Sequence, residues 1–174
     1  MNEAQPMPDP PRYCERCGTI LMTQAVEGRR RPVCAQCGFI VYLNPKVAAG
    51  AIVAVDGRVV LVKRGIPPSI GKWVFPGGYV DRGEPTDLAA IREVSEECGL
   101  EVAIQGLVGV FSYPGVPVVL VVYDTTPVGG ALSDGDHEVL EVATFTPSEI
   151  PWDDLGFDST REALKVWLET RRLE

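Results

Sequence analysis

The chain has 174 residues, enough for one ordinary domain or one domain plus a small module. Its hydrophobic share of 45% is that of a globular protein with a real core, and candidate strands stop at Pro, Gly or Asp before any apolar run could span a membrane. A net charge of −8 argues against non-specific nucleic-acid binding, which needs a basic footprint, but not against phosphorylated small molecules, because a bound metal reverses the field locally. No basic-then-apolar leader opens the sequence, so a cytoplasmic location is expected. Five cysteines in such a chain point to metal rather than to disulfides.

Residues 1–12 carry Pro6, Pro8, Pro10 and Pro11 without apolar periodicity, the pattern of a disordered or extended tail. Residues 13–46 form a distinct module. Cys14-Glu15-Arg16-Cys17-Gly18 and Cys34-Ala35-Gln36-Cys37-Gly38 are two C-x-x-C-G knuckles, a spacing that suits tetrahedral zinc held by four thiolates. No histidine lies near and no ligand position is spare, so Zn²⁺ on Cys14, Cys17, Cys34 and Cys37 is expected to be structural. The module resembles a zinc ribbon.

From residue 47 to 174 the pattern becomes that of an α/β domain. Strands are expected at 47–55 and 58–63, joined at Asp56-Gly57, a strong two-residue hairpin signal. A loop over 65–72 and a short strand at 73–75 lead into Pro76-Gly77-Gly78. A helix is expected from Pro85 or Thr86, because Pro at the first helical position costs no hydrogen bond, and it should end at Gly99. Further strands are expected at about 101–111, 116–123 and 138–145, with a polar loop over 124–136. The 116–123 run is apolar apart from Pro117 and reads as a central strand. A last helix from Ser159, with Glu162 three residues on as a capping box, buries Ala163, Leu164, Trp167 and Leu168.

The stretch 78–100 concentrates the chemistry. On the expected helix Glu93, Glu96 and Glu97 stand at i, i+3 and i+4, within reach of one another, and Leu88, Ile91, Val94 and Cys98 fall roughly opposite. Like charges so close repel unless something positive is held between them. Hard carboxylate oxygens suit Mg²⁺ or Mn²⁺.

Gly78, Glu84, Arg92, Glu93, Val94, Glu96, Glu97, Gly99 and Leu100 match G-x5-E-x7-R-E-U-x-E-E-x-G-U (U aliphatic) at every fixed position. That is the signature of the Nudix hydrolases, which this segment resembles. The resemblance implies an α/β/α sandwich with a mixed sheet and hydrolysis of a phosphoanhydride. Glu93, Glu96 and Glu97 would bind the metal, with the Gly77 carbonyl as a fourth ligand. Arg92 would pair with Glu84 and hold loop to helix. Three acidic residues are candidates for the general base: Glu93, Glu138 and Glu141. His137, the only histidine, is a weaker candidate beside them.

A ribbon ahead of such a domain is similar to the NADH pyrophosphatase group and its relatives acting on ADP-ribose or FAD. The NADH enzymes carry S-Q-P-W-P-F-P-x-S after the box, whereas residues 109–116 here read Gly-Val-Phe-Ser-Tyr-Pro-Gly-Val. The resemblance therefore implies a nucleotide-type substrate of the ADP-ribose or FAD kind, and a homodimer formed through the ribbon. Phe111 and Tyr113 are candidates for stacking on a base or flavin, and Lys63 or Arg64 for meeting the diphosphate. The alternatives are a nucleoside triphosphate pyrophosphohydrolase and a non-catalytic nucleotide sensor.

Overall fold

The computed structural model describes residues 9–133, 135 and 137–171. Most of the expected N-terminal tail therefore lies outside the described residues, as do Asp134 and Asp136. The described residues divide into two compact units, one ending at Pro45 and one beginning at Lys46. Among the described residues no helix is long and apolar enough to cross a membrane.

The smaller unit is built on one antiparallel hairpin, β1 (Leu21–Val26) and β2 (Arg29–Cys34). Glu27 and Gly28 both turn through positive φ, as a tight two-residue hairpin requires. Each knuckle closes on itself in the same way. Gly18 N–H donates to the Cys14 carbonyl and Gly38 N–H to the Cys34 carbonyl, with both glycines left-handed.

The larger unit has a seven-stranded mixed sheet: β3 (Lys46–Val55), β4 (Arg58–Arg64), β5 (Trp73–Val74), β6 (Gly77–Tyr79), β7 (Leu100–Phe111), β8 (Val118–Gly130) and β9 (Val139–Phe145). The main path runs β5-β4-β3-β8-β7, with β6 on β3 and β9 on β4. The β3–β8 pair is parallel, Lys46 opposite Val118 through Val53 opposite Thr125, and the other pairings are antiparallel.

Period-two alternation sorts the core into two layers. Ala49, Ala51 and Val53 of β3, with Val60 and Val62 of β4, pack against Ala89, Ala90, Val94 and Cys98 of helix α1 (Thr86–Cys98). Ile52, Val59 and Leu61 point the other way, onto Ala163, Leu164 and Trp167 of helix α2 (Asp158–Arg171). The sheet is thus buried on both faces, which is why its central strands read as unbroken apolar runs. The Trp167 indole donates to Asp124 Oδ1 at 2.6 Å, tying α2 to β8.

Several expectations are corrected. β8 starts after Pro117, whose missing N–H cannot join the ladder, and then runs on to Gly130 through half of the expected loop, carried by its pairing with β7. Helix α2 begins at Asp158, so Ser159 lies inside its first turn, and the Glu162 carboxylate accepts from the Tyr113 hydroxyl rather than closing a capping box. On α1, Leu88 is 52% exposed, and Ala89 and Ala90 take its place against the sheet. Replacing Leu164 with Ala should cost about 2–5 kcal/mol in chemical denaturation. Leu88→Ala should fall within about 0.5 kcal/mol of wild type.

Candidate functional site

The turn Pro76-Gly77-Gly78 lies flat against β3. A Cβ on Gly77 would sit 2.7 Å from the Ala49 carbonyl oxygen and 2.7 Å from Gly50 Cα, and one on Gly78 would collide with the Glu93 carboxylate. Gly77 is required by close approach to backbone rather than by a turn angle, and at Gly78 the approach lets the α1 side chain of Glu93 touch the β6 backbone.

Glu97 follows Val94 by three residues, which puts it about 60° from the centre of the buried face rather than opposite it. It is only 9% exposed, and its Oε2 accepts from Gly77 N–H at 2.8 Å. Burial pushes its carboxyl up to about 8 against the pull of that hydrogen bond, and the negative charges of Glu93 and Glu138 add to the rise. Glu93 is also raised, chiefly by burial.

Arg92 occupies the centre of the acidic surface. Its Nε and Nη2 reach the two oxygens of Glu84 at 2.9 and 3.1 Å, a bidentate pair. Its Nη1 donates to Glu93 Oε1 at 2.8 Å and to Glu96 Oε2 at 3.0 Å, and Nη2 also reaches the Tyr79 carbonyl. The Arg92 hydrogen bonds hold Glu84 down at about 2. Arg92 itself is raised, first by Glu84. Glu96 is half exposed. Among the described residues the four ribbon cysteines form the compact multi-ligand group, whereas here Arg92 draws Glu93 and Glu96 while Glu97 turns to Gly77.

Beside this surface lies a cleft of about 690 Å³. Glu93, Glu96, Glu97, Arg92, Gly77 and Gly78 line it, together with Arg64, Glu138 and Tyr113. Arg64 is placed by Nε donating to the Pro68 carbonyl at 2.8 Å, and its guanidinium stacks on Phe157. Burial lowers its pKa, offset by Glu97 and Glu138. Glu138 sits where the backbone doubles back, its carbonyl accepting from Gly65 N–H at 2.6 Å.

The other expected residues lie elsewhere. Glu141 is on β9, bonded to Lys63 at 3.1 Å, and neither lines the cleft. Phe111 is 9% exposed and packed in the α2-side core, so its ring is not offered to a ligand. His137 is exposed and does not line the cleft. Sequence reading missed the opposite wall: Ile66, Pro67, Pro68 and Ser69 from the loop after β4, and 157–160 where α2 begins. Loop composition marks the first of these only as irregular, and nothing in the α2 sequence says that its first turn faces the acidic helix.

In the ribbon the four Sγ atoms lie within 4.8 Å of one another, with close pairs at 3.4–3.6 Å. Four thiolates about 2.3 Å from one zinc would stand about 3.8 Å apart, so the donor set and spacing fit a tetrahedral ion.

A raised Glu97 means that the native chain holds a proton the unfolded chain loses between about pH 4.5 and 8. Without added divalent ions, this residue's contribution therefore declines as pH rises across that window. Thermal unfolding should show wild type losing Tm relative to Glu97→Gln from pH 5 to 8. A constant difference would contradict the burial of this carboxyl.

Residues 44–166 match the NUDIX domain family model. The chain is 36% identical over 121 residues to an ADP-ribose pyrophosphatase of Methanocaldococcus jannaschii, covering 67% of this chain and 70% of that protein. It is 30% identical over 141 residues to the NAD-capped RNA hydrolase NudC of Pseudomonas aeruginosa, covering 80% of this chain but only 49% of the relative. Among solved structures, a NUDIX hydrolase from Nitrosomonas europaea superposes with a TM-score of 0.86 at 34% identity, covering 92% of each chain. A complete acidic box on the sheet-packed helix, a matching family model and a structural relative covering most of both chains agree, and the chain belongs to the Nudix hydrolase family.

Proposed function

We propose that this chain hydrolyses the pyrophosphate bond of a nucleoside diphosphate linked to a second moiety, of the ADP-ribose or FAD kind, releasing a nucleoside monophosphate and a second phosphorylated fragment. The observation that carries the reading is that Glu93, Glu96, Glu97, Glu138 and Arg64 all face one cleft. A polyanion meets an acidic wall favourably only when divalent cations stand between them, and hard carboxylate oxygens fit Mg²⁺ or Mn²⁺. Similarity to a protein named ADP-ribose pyrophosphatase, over most of both chains, supports the substrate class. The similarity to NudC, of which this chain spans about half, carries less weight.

Each side chain then has a task. A bound divalent ion supplies positive charge against the phosphate oxygens and acidifies the attacking water. Glu93, Glu96 and Glu97 would hold it, Glu96 being the one of the three that is both half exposed and bonded to Arg92. Gly77 N–H fixes the orientation of Glu97, and the Arg92–Glu84 pair fixes the loop on the helix. Arg64 meets the diphosphate. Glu138 accepts the proton of the water: it lines the cleft beside the box, Glu141 does not, and Glu93 is bonded to Arg92. Zn²⁺ on Cys14, Cys17, Cys34 and Cys37 holds together a ribbon too short to stabilise itself by its own core.

A panel of ADP-ribose, NADH, NAD⁺, FAD, CoA, diadenosine polyphosphates and dNTPs with Mg²⁺ or Mn²⁺ tests the reading. The expected result is turnover of ADP-ribose or FAD to two monophosphate products. Inorganic pyrophosphate from a dNTP would replace it with triphosphate hydrolysis, and silence across the panel would leave a nucleotide sensor. Glu93→Gln and Glu97→Gln should each lose orders of magnitude in kcat while remaining folded. Glu138→Gln should lose about 10²–10⁴-fold. Glu141→Gln, outside the cleft, should turn over like wild type, and equal losses at 138 and 141 would remove Glu138 from the base role.

A further inference from the structure

The half of the cleft away from the glutamates is built differently. Its floor is the start of β8, Val118 and Leu120, with Val116 and Pro114 before it, and its far wall is Phe157 and the first turn of α2. Within that wall Thr160 stands out. It is 2% exposed, yet its Oγ1 has no hydrogen-bond partner among the described residues. It is not sealed off either, since Arg31 Nε is the one described side-chain atom both sealed and unpartnered. The small surface that Thr160 retains therefore opens into the cleft it lines. A buried hydroxyl left unbonded is costly, and one facing a cavity signals a missing partner.

The surroundings decide what kind of partner fits. A helix start with free N–H groups would ordinarily favour an anion. Here Asp158 lies in the same turn and lines the same cleft, and the Glu162 carboxylate one turn on holds the Tyr113 hydroxyl at 2.5 Å. Two carboxylates beside apolar walls repel a phosphate and admit a neutral, flat, hydrogen-bonding group. A nucleobase has that chemistry, and one bearing an exocyclic amine offers donors to a site rich in acceptors.

We propose that the first turn of α2 with Tyr113 and the β8 floor forms the nucleobase subsite, and that Thr160 is its specificity-determining residue, hydrogen-bonding the polar edge of an amine-bearing base. This rests on the pyrophosphohydrolase reading and adds to it an assignment of which end of the cleft takes the nucleoside. The carboxylate end then holds the diphosphate, and the second moiety lies beyond it.

The test compares wild type, Thr160→Val, which keeps shape and removes the hydroxyl, and Thr160→Ser, which restores it. Each full chain is assayed with Mg²⁺ on ADP-ribose and on its analogue lacking the adenine amine. Calorimetric binding of both compounds with Ca²⁺ in place of Mg²⁺, and thermal unfolding, are measured alongside. The expected result is a KM for ADP-ribose raised roughly tenfold in Thr160→Val, with the effect in KM rather than kcat. Preference for the amine-bearing base should vanish in that variant and return in Thr160→Ser, with Tm unchanged in both. Equal KM, equal binding and equal base preference in wild type and Thr160→Val would overturn the subsite. If wild type binds ADP-ribose but turns over nothing, the catalytic reading fails alone, and weaker binding by Thr160→Val still supports the subsite. Absence of binding by wild type would overturn the subsite as well.

Discussion

One guanidinium makes the acidic surface of α1 possible. Arg92 bonds three carboxylates and a backbone carbonyl at once, spanning the loop that carries Glu84 and the helix that carries Glu93 and Glu96. Like charges three and four residues apart oppose helix formation. With Arg92 among them the same charges become a scaffold: Glu84 is held well below its ordinary range and remains a carboxylate at any physiological pH. A lysine could offer one point charge but not the fork that meets both Glu84 oxygens and still has a nitrogen left for Glu93 and Glu96.

Glu97 is governed by a second constraint, the approach of backbone to backbone. The glycines at 77 and 78 bring β6 against β3 and under α1 so closely that a methyl group would strike main-chain atoms or the Glu93 carboxylate. That closeness buries Glu97 and supplies its hydrogen-bond donor, the Gly77 amide. The two glutamates of one helical turn thus differ by environment: Glu96 is solvated and borrowed by Arg92, and Glu97 is desolvated and fixed. If these two carboxylates hold a divalent ion, as proposed, its binding would be coupled both to pH through Glu97 and to the Arg92 network through Glu96.

Most of this was legible in the residues. Period two in 47–63, the Asp56-Gly57 turn, the proline and glycine bracketing 85–99 and the apolar stripe 163–168 define a sheet between two helices, because each signal is local. The box and knuckle spacings are legible for the same reason. What was not legible depends on distant partners. The continuation of β8 to Gly130 is imposed by β7, and the burial of Phe111 by its packing in the α2-side core. Glu138 and Glu141 have the same side chain three residues apart, and only the register of β9 on β4 decides that Glu141 meets Lys63 while Glu138 lines the cleft.

That division explains why the reaction class is easier to read than the substrate. The box residues sit on one helix and its entering loop, where spacing in sequence maps onto spacing in space. Much of the rest of the cleft is lined by the loop after β4, the segment before β8 and the first turn of α2, three stretches far apart in the chain that meet only in the folded cleft. None carries a local pattern, because a floor of Val118 and Leu120 is ordinary strand sequence and Thr160 is an ordinary first-turn residue. Their meaning comes from facing one another across the same space. A buried hydroxyl beside two carboxylates and opposite an apolar floor is the setting on which the proposed nucleobase subsite rests, and no reading along the chain alone could have assembled that description.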